Sequence, residues 1–265
     1  MDQYQEYFDE NKNLWNQRTV VHKESSFYDV ASFLQGKSSL NEIELRELGN
    51  VKNKKILHLQ CHFGMDSLSL SRMGADVTGI DLSDAAIEEA KKLNDQLSLH
   101  AKFICCNVYD LKDHLSGQFD IVFTSYGVIG WLPDLNKWAE IIAHFLKPGG
   151  FFYMVEFHPV VWMFDEDFKE VKYYYHNQEM IVMDALGTYT DRSAHIQSKE
   201  YSWNHSISEV LNALLNQNLR LEFFNEYMYS PYPCFRNVVE TEKTKWHIKG
   251  MEGKIPMVYS LKAEK

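Results

Sequence analysis

No run of this chain is apolar enough to cross a bilayer. The most hydrophobic stretch, 151–164, is broken by Glu156, His158 and Pro159. A basic tract is missing as well: the net charge is −10, which argues against duplex nucleic acid or an anionic membrane surface as the main partner. Cysteine is scarce. Cys61, Cys105, Cys106 and Cys234 form no CxxC pair, and two of them are adjacent, so neither a disulfide framework nor a zinc ribbon is expected. The opening MDQYQEYFDE is polar and acidic, unlike a secretory leader. These absences lead to the expectation of a cytoplasmic protein. What is present is material for a core: of 265 residues, 45% are hydrophobic and 14% aromatic, which excludes general disorder.

The pattern along the chain is an alternation of short strands and helices. The first 50 residues read as an amphipathic helical cover, stopping at Gly49. Strands follow at KILHLQ (55–60), DVTGID (76–81), KFICC (102–106), FDIVFTSY (119–126) and FFYMVEF (151–157). Between them lie a helix at 65–74 and a second capped by Ser83. A third starts at Asp134 and is stopped by Pro148-Gly149-Gly150. Repeated βα units imply a doubly wound α/β fold, a mostly parallel sheet with helices on both faces. The rhythm breaks over 158–203, where KEVKYYYHN, EMIVMDALGTYT and HIQSKEYSW predict an inserted antiparallel cap turning at Leu186-Gly187. Ser206-Ile207-Ser208-Glu209 fits a capping box, and RLEFFNEY (220–227) and PMVYSLKA (256–263) supply two closing strands. The expected plan is one domain over 1–265, seven strands, with the cover and the cap beside the site.

In such sheets ligands bind beyond the carboxyl ends of the strands. The first loop, LHLQCHFGMDSL (57–68), lacks the G-x-G-x-x-G that lets a pyrophosphate approach backbone; Gly64 alone is present. This weighs against a nicotinamide-dependent oxidoreductase. Seventeen residues beyond Gly64, Asp81 ends the second strand, where a carboxylate accepts both hydroxyls of a ribose. Asn107 after the third strand offers an amide to an adenine edge, with Leu82 and Val108 against its faces.

The series LHLQCHFG, VTGIDLS, CNVYDL, FDIVFTS and LKPGG resembles the motif order of class I S-adenosylmethionine-dependent methyltransferases, most closely over residues 50–160. The resemblance extends to a first-motif variant, LHLQCHFG, found among bacterial members acting on small molecules. It implies a Rossmann-like seven-stranded fold, S-adenosyl-L-methionine as cofactor and methyl transfer to a small-molecule acceptor. It further implies that Gln60, His62 and Gly64 sit near the methionine part, that Asp81 holds the ribose, and that Asn107 and Val108 flank adenine. Ser125 and Tyr126 would face the reacting centre. The departure is that His58, Gln60 and His62 stand where the family has an acidic residue and two more glycines, so the Gln60 side chain must be accommodated beside the ligand.

Several residues carry two readings. His58, Cys61 and His62 suggest zinc, but strand alternation sends His58 and Cys61 to opposite faces and no second ligand pair follows, so no metal is expected. Asp81 is otherwise a helix cap, and Asn107 a turn residue. Trp15, Arg18, His22 and Tyr28 either fold over the site or serve ordinary packing. Trp131, a few residues past the fourth strand, is with Tyr126 and His158 a candidate wall of the substrate pocket, or else ordinary packing. Tyr126 and His158 are the candidate catalytic residues, with Glu156 as an alternative base and a loop hydrogen bond as the other reading of His158, whereas Tyr173, Tyr174 and Tyr175 are expected to build the cap, with substrate contact as their second reading. A catalytically silent nucleoside-binding module is the rival reading of a different class. A small molecule is the expected partner, with a homodimer left open.

Overall fold

The computed structural model describes residues 4–265; Met1 to Gln3 of the expected cover lie outside the described residues. Three helices come first, α1 (Gln5–Glu24), α2 (Val30–Leu34) and α3 (Glu42–Leu48). Then come β1 (Lys55–Leu59), α4 (Met65–Arg72), β2 (Asp76–Asp81), α5 (Asp84–Gln96), β3 (Lys102–Cys105) and α6 (Leu111–His114). They are followed by β4 (Phe119–Ser125), α7 (Leu135–Phe145) and β5 (Leu146–Phe157). The chain continues through β6 (Ile181–Leu186), β7 (Gln197–Ser202), α8 (Ile207–Asn216), β8 (Arg220–Tyr227), β9 (Val238–Glu242), β10 (Lys245–Ile248) and β11 (Val258–Glu264).

Seven strands form one sheet in the order β3-β2-β1-β4-β5-β11-β8, in which β11 alone runs antiparallel to its neighbours. Period-two side chains divide the core between the two faces. Ile56, Ile121, Phe123, Tyr153 and Val155 pack under α2, α3, α4 and α5. Leu57, Leu59, Val122, Phe152 and Met154 pack under α7 and α8. The strand order reverses between β2-β1 and β1-β4, which is where such a sheet places its ligand crevice.

The helices start where the sequence caps them. Ser83 Oγ accepts from Ala86 N–H, Asp134 accepts from Asn136 and Lys137, and Asn41 with Glu44 makes a reciprocal box on α3. Gly49 stops α3 at φ 66°. The expected stop at Pro148-Gly149-Gly150 falls later than the real one. Leu146 is already extended and the three residues belong to β5. Gly150 is needed there for a different reason: a Cβ would lie 2.9 Å from the Asp120 carbonyl oxygen, so only glycine lets β5 pass β4.

Two segments depart from expectation. The cap contains a single hairpin, β6-β7, and KEVKYYYHN is not a strand. Lys172 and Tyr173 both donate to the Met163 carbonyl and fold that stretch back on itself. The connection from β6 to β7 is also a ten-residue loop, 187–196, rather than a tight turn at Gly187. The residues between β8 and β11 form a second excursion carrying the β9-β10 hairpin, which nothing in the helical and strand periodicity announced. The capping box at Ser206 is half made. Ser206 accepts from Glu209 N–H, but the Glu209 carboxylate turns to His205, 3.0 Å away.

Helix α1 lies across the cap and α5. Asn11 stands in for a strand neighbour, donating to the Tyr201 carbonyl and accepting from Tyr201 N–H at 2.8 and 3.0 Å. Ser83 donates to Asn16 at 2.6 Å, fixing α1 to the start of α5.

Candidate active site

The ends of β1, β2, β4 and β5, the helical cover, the cap and the 228–257 excursion enclose one cavity of about 1280 Å³. Clefts for single small ligands run to roughly 1,000 Å³. This one has room for two molecules side by side.

Its floor is the loop after β1. Gln60, His62 and Gly64 all sit in the left-handed region, at φ 55°, 51° and 78°. Gly64 cannot be replaced, since a Cβ would meet Phe103 at 2.7 Å. For Gln60 and His62 the conformation costs on the order of 1 kcal/mol each, offset by specific bonds. Gln60 Nε2 donates to the Val128 carbonyl at 2.9 Å, which turns the side chain into a bridge between the β1 and β4 loops. His62 N–H donates to Asp81 Oδ2 at 2.8 Å. The reversal at Gln60 also breaks the alternation expected for this stretch. Cys61 packs in the same core as Phe123, against which the His58 ring rests 4.6 Å away. Among the described residues no three His, Cys, Asp or Glu side chains come together as a metal site.

Asp81 is the hinge of the floor. Its Oδ1 accepts from Ser83 N–H at 2.8 Å and its Oδ2 from His62 N–H at 2.8 Å, and the Leu82 N–H also acts on the carboxylate. Burial pushes its carboxyl up to about 6, against the pull of these N–H groups. Leu82 and Val108 line the cavity beside it. Asn107 lines it too, although its carboxamide oxygen is occupied in capping the following turn, accepting from Tyr109 N–H at 3.1 Å.

Behind Ser125 and Tyr126 lies a buried acidic network that sequence reasoning missed. Ser125 and Ser39 donate to Asp66 at 3.2 and 2.6 Å, and Tyr126 Oη donates to Glu44 Oε2 at 2.9 Å. Burial and the neighbouring Asp66 push Glu44 up to about 7. Burial and Glu44 likewise drive the Tyr126 phenol well above its ordinary value. Glu44 reads in ELREL as one of several surface glutamates; the Asn41-x-x-Glu44 box was the one available signal.

Glu156 is committed to backbone. It accepts from Gly127, from Val128 at 2.8 Å, from Ile129 at 3.2 Å and from Phe157 at 2.6 Å, so it clamps the loop after β4 and is no free base. His158 is not among the residues lining the cavity, which corrects its place as catalytic and pocket candidate. Its Nε2 meets Glu226 at 3.0 Å and its Nδ1 accepts from Val160 N–H, because the chain turns away from the site after Phe157.

Trp131 does line the cavity, pinned by its indole N–H on the Gly127 carbonyl at 2.8 Å. Of the N-terminal candidates, Trp15, Arg18 and Tyr28 line it and His22 stands behind them. Tyr173 touches the cavity while Tyr174 and Tyr175 do not. The excursion supplies Tyr232, Cys234 and Phe235, none of them foreseen. The Pro231 and Pro233 pair in YSPYPC was the sequence mark of that turn.

Residues 56–150 match the methyltransferase domain family. A ubiquinone biosynthesis O-methyltransferase of Bordetella avium is 29% identical over 128 residues, 47% of this chain and 53% of that protein. One from Coxiella burnetii is 34% identical over 101 residues, 38% of this chain and 42% of that one. The chain thus spans about half the length of the curated relatives it matches. Among solved structures, an S-adenosylmethionine-dependent methyltransferase of Mesorhizobium loti superposes with a TM-score of 0.58 at 19% identity, over 88% of this chain and all of that one. Geranyl diphosphate C-methyltransferase of Streptomyces coelicolor gives 0.56 at 16%, over 84% and 77%. The fold is therefore the Rossmann-like one of these enzymes.

Proposed function

We propose that the protein is an enzyme that transfers a methyl group from S-adenosyl-L-methionine to a small-molecule acceptor. The observation that carries this reading is Asp81. It stands at the end of β2, half-buried and lining the cavity, its carboxylate oriented by the N–H groups of His62 and Ser83 and flanked by the apolar Leu82 and Val108. That is the acceptor, with apolar flanks, that a nucleoside's ribose hydroxyls and adenine require. The match over 56–150 supports the same reading, and within that group we place the chain with those whose first motif reads LHLQCHFG.

The cofactor, when bound, supplies an activated methyl on a sulfonium. The chain's own work is then alignment and exclusion of water. Asp81 would fix the ribose, Leu82 and Val108 the adenine faces, and the β4 loop clamped by Glu156 would hold the reacting side in place. Where the acceptor is a hydroxyl or amine, its proton passes to Tyr126 Oη as the phenol proton moves to Glu44, 2.9 Å behind. The remaining wall, with Phe157, Trp162, Tyr232 and Phe235, suits a partly apolar acceptor. The acidic surface supports a small molecule rather than nucleic acid as partner. Its four unpaired cysteines support a reducing, cytoplasmic setting.

A silent nucleoside-binding module would share the cofactor contacts. Calorimetry with S-adenosylhomocysteine and NAD, followed by radiolabelled methyl transfer into a metabolite extract, separates the readings. Expected are S-adenosylhomocysteine binding that Asp81→Ala weakens about a hundredfold, and a labelled product. Tighter NAD binding overturns the proposal in favour of an oxidoreductase, and binding with no labelled product in favour of the silent module.

A further inference from the structure

The rim of the cavity carries two arginines that the function proposed above leaves unused. Arg192 stands in the loop between β6 and β7, Arg236 just before β9, and both line the cavity. Arg236 is committed, meeting Glu166 at 2.6 Å and Asp167 at 3.8 Å. Arg192 is not: among the described residues its exposed guanidinium has no hydrogen bond and no ion pair. Burial and the Arg236 charge hold its pKa below the ordinary value, against the pull of Glu166 and Asp167. A third polar group opens on the same loop. Thr190 lines the cavity, and its Oγ1 is sealed from water without a partner, which costs about 1–3 kcal/mol.

The loop that presents these two side chains is braced, which a merely solvated arginine does not need. Thr188 and Asp191 exchange backbone hydrogen bonds at 2.9 and 3.1 Å. Thr188 Oγ1 meets His22 Nε2 at 2.6 Å, and Tyr189 Oη pairs with Tyr28 Oη. Gly187, at φ 71°, lets the ends close, since a Cβ would lie 2.5 Å from the Arg192 carbonyl oxygen. Between this rim and Tyr126 runs a file of rings. Tyr126 packs on Tyr232 at 5.1 Å, Tyr232 on Phe157 at 5.9 Å, and Phe157 on Phe235, the neighbour of Arg236, at 4.9 Å.

Two guanidinium forks and a spare hydroxyl are donors without an acceptor, and they suit the oxygens of a carboxylate or phosphate. We infer that Arg192, with Arg236 and Thr190 beside it, receives such an anionic group at the far end of the methyl acceptor. The acceptor is then an apolar anion, with its nucleophile at Tyr126, its body along the rings and its charge at the rim. The anion site stands on its own geometry; that its occupant is the acceptor rests on the methyl-transfer reading above.

The test is calorimetry on the full chain with three probes, phenyl phosphate, benzoate and the neutral benzyl alcohol. Arg192 is exposed and unpaired, so R192Q strands no partner. Expected is that one or both anions bind more tightly than benzyl alcohol and lose about tenfold or more in R192Q. The anion preferred tells phosphate from carboxylate. Benzyl alcohol binding as well as both anions, or R192Q binding them as the parent does, overturns the inference. S-adenosylhomocysteine titrated into the same samples should bind R192Q and the parent alike. Its failure to bind the parent overturns the methyl-transfer reading, while the anion site is decided by the first comparison. The labelled product of the extract screen then tests the acceptor's charge. It should be retained by an anion-exchange resin, with R192Q raising the KM for its precursor and leaving kcat as it was. A product in the flow-through, or an unchanged KM, overturns that assignment.

Discussion

On the proposed reading the cavity has two halves, one for a nucleoside and one for the acceptor, built by different means. The nucleoside half comes from three successive βα turns, where a left-handed loop, a carboxylate and a capped helix lie within about thirty residues and hold each other by backbone hydrogen bonds. The acceptor half is assembled from α1–α3, the cap and the 228–257 excursion, whose side chains meet across 80 to 190 positions of sequence. Examples are Tyr126 with Glu44, Arg18 with Glu200 and Asn11 with Tyr201. Short-range geometry repeats from protein to protein because strand, turn and helix impose it. Long-range assembly is free to vary, and on the proposed reading it would determine which acceptor fits.

The sharpest break between the halves is expected from Asp81→Ala. Losing a charged acceptor for two hydroxyls and the brace on His62 should weaken S-adenosylhomocysteine and 5′-methylthioadenosine alike, about a hundredfold by calorimetry. Tyr126→Phe should do the reverse. Cofactor affinity stays put, while turnover of a hydroxyl acceptor found in the extract screen drops about a hundredfold. Glu156→Ala tests the joint between them. Four backbone N–H groups lose their acceptor, for which about 3 kcal/mol and roughly 10 °C in melting temperature are expected by calorimetric unfolding.

The two halves also titrate apart. In the proposed role Asp81 accepts both ribose hydroxyls best when ionised, and its carboxyl is raised to about 6. Below that pH binding must expel a proton, so affinity falls by up to tenfold per pH unit, whereas above it affinity is flat. Glu44, raised to about 7, must be ionised to take a proton from Tyr126, so turnover rises with pH through about 7. A single shared midpoint would show that the separation is wrong. The smallest effect on cofactor binding belongs to Phe235→Ala, which should change the KM for acceptor and leave S-adenosylhomocysteine affinity as it was.

The same division explains what could be read from the sequence. Asp81, Ser83, Gly64 and the strand rhythm are local signals, and the structure sets them where the pattern indicated. The role of Gln60 was half visible. Its side chain was expected to need space, but the bond to Val128 depends on where the β4 loop comes to rest. Glu156 and His158 sit two apart at the end of β5 and look equivalent in sequence. One faces three N–H groups of the cavity loop, the other follows the chain out toward Glu226. The β9-β10 hairpin stayed hidden because its strands are only five and four residues long and mostly half-buried, so no apolar alternation marks them.

A crystal structure with S-adenosylhomocysteine bound is the most direct test of the nucleoside site. Both ribose hydroxyls should lie within hydrogen-bonding distance of the Asp81 carboxylate, with the adenine between Leu82 and Val108. A nucleoside seated elsewhere in the cavity, or an Asp81 turned away from the sugar, would contradict it.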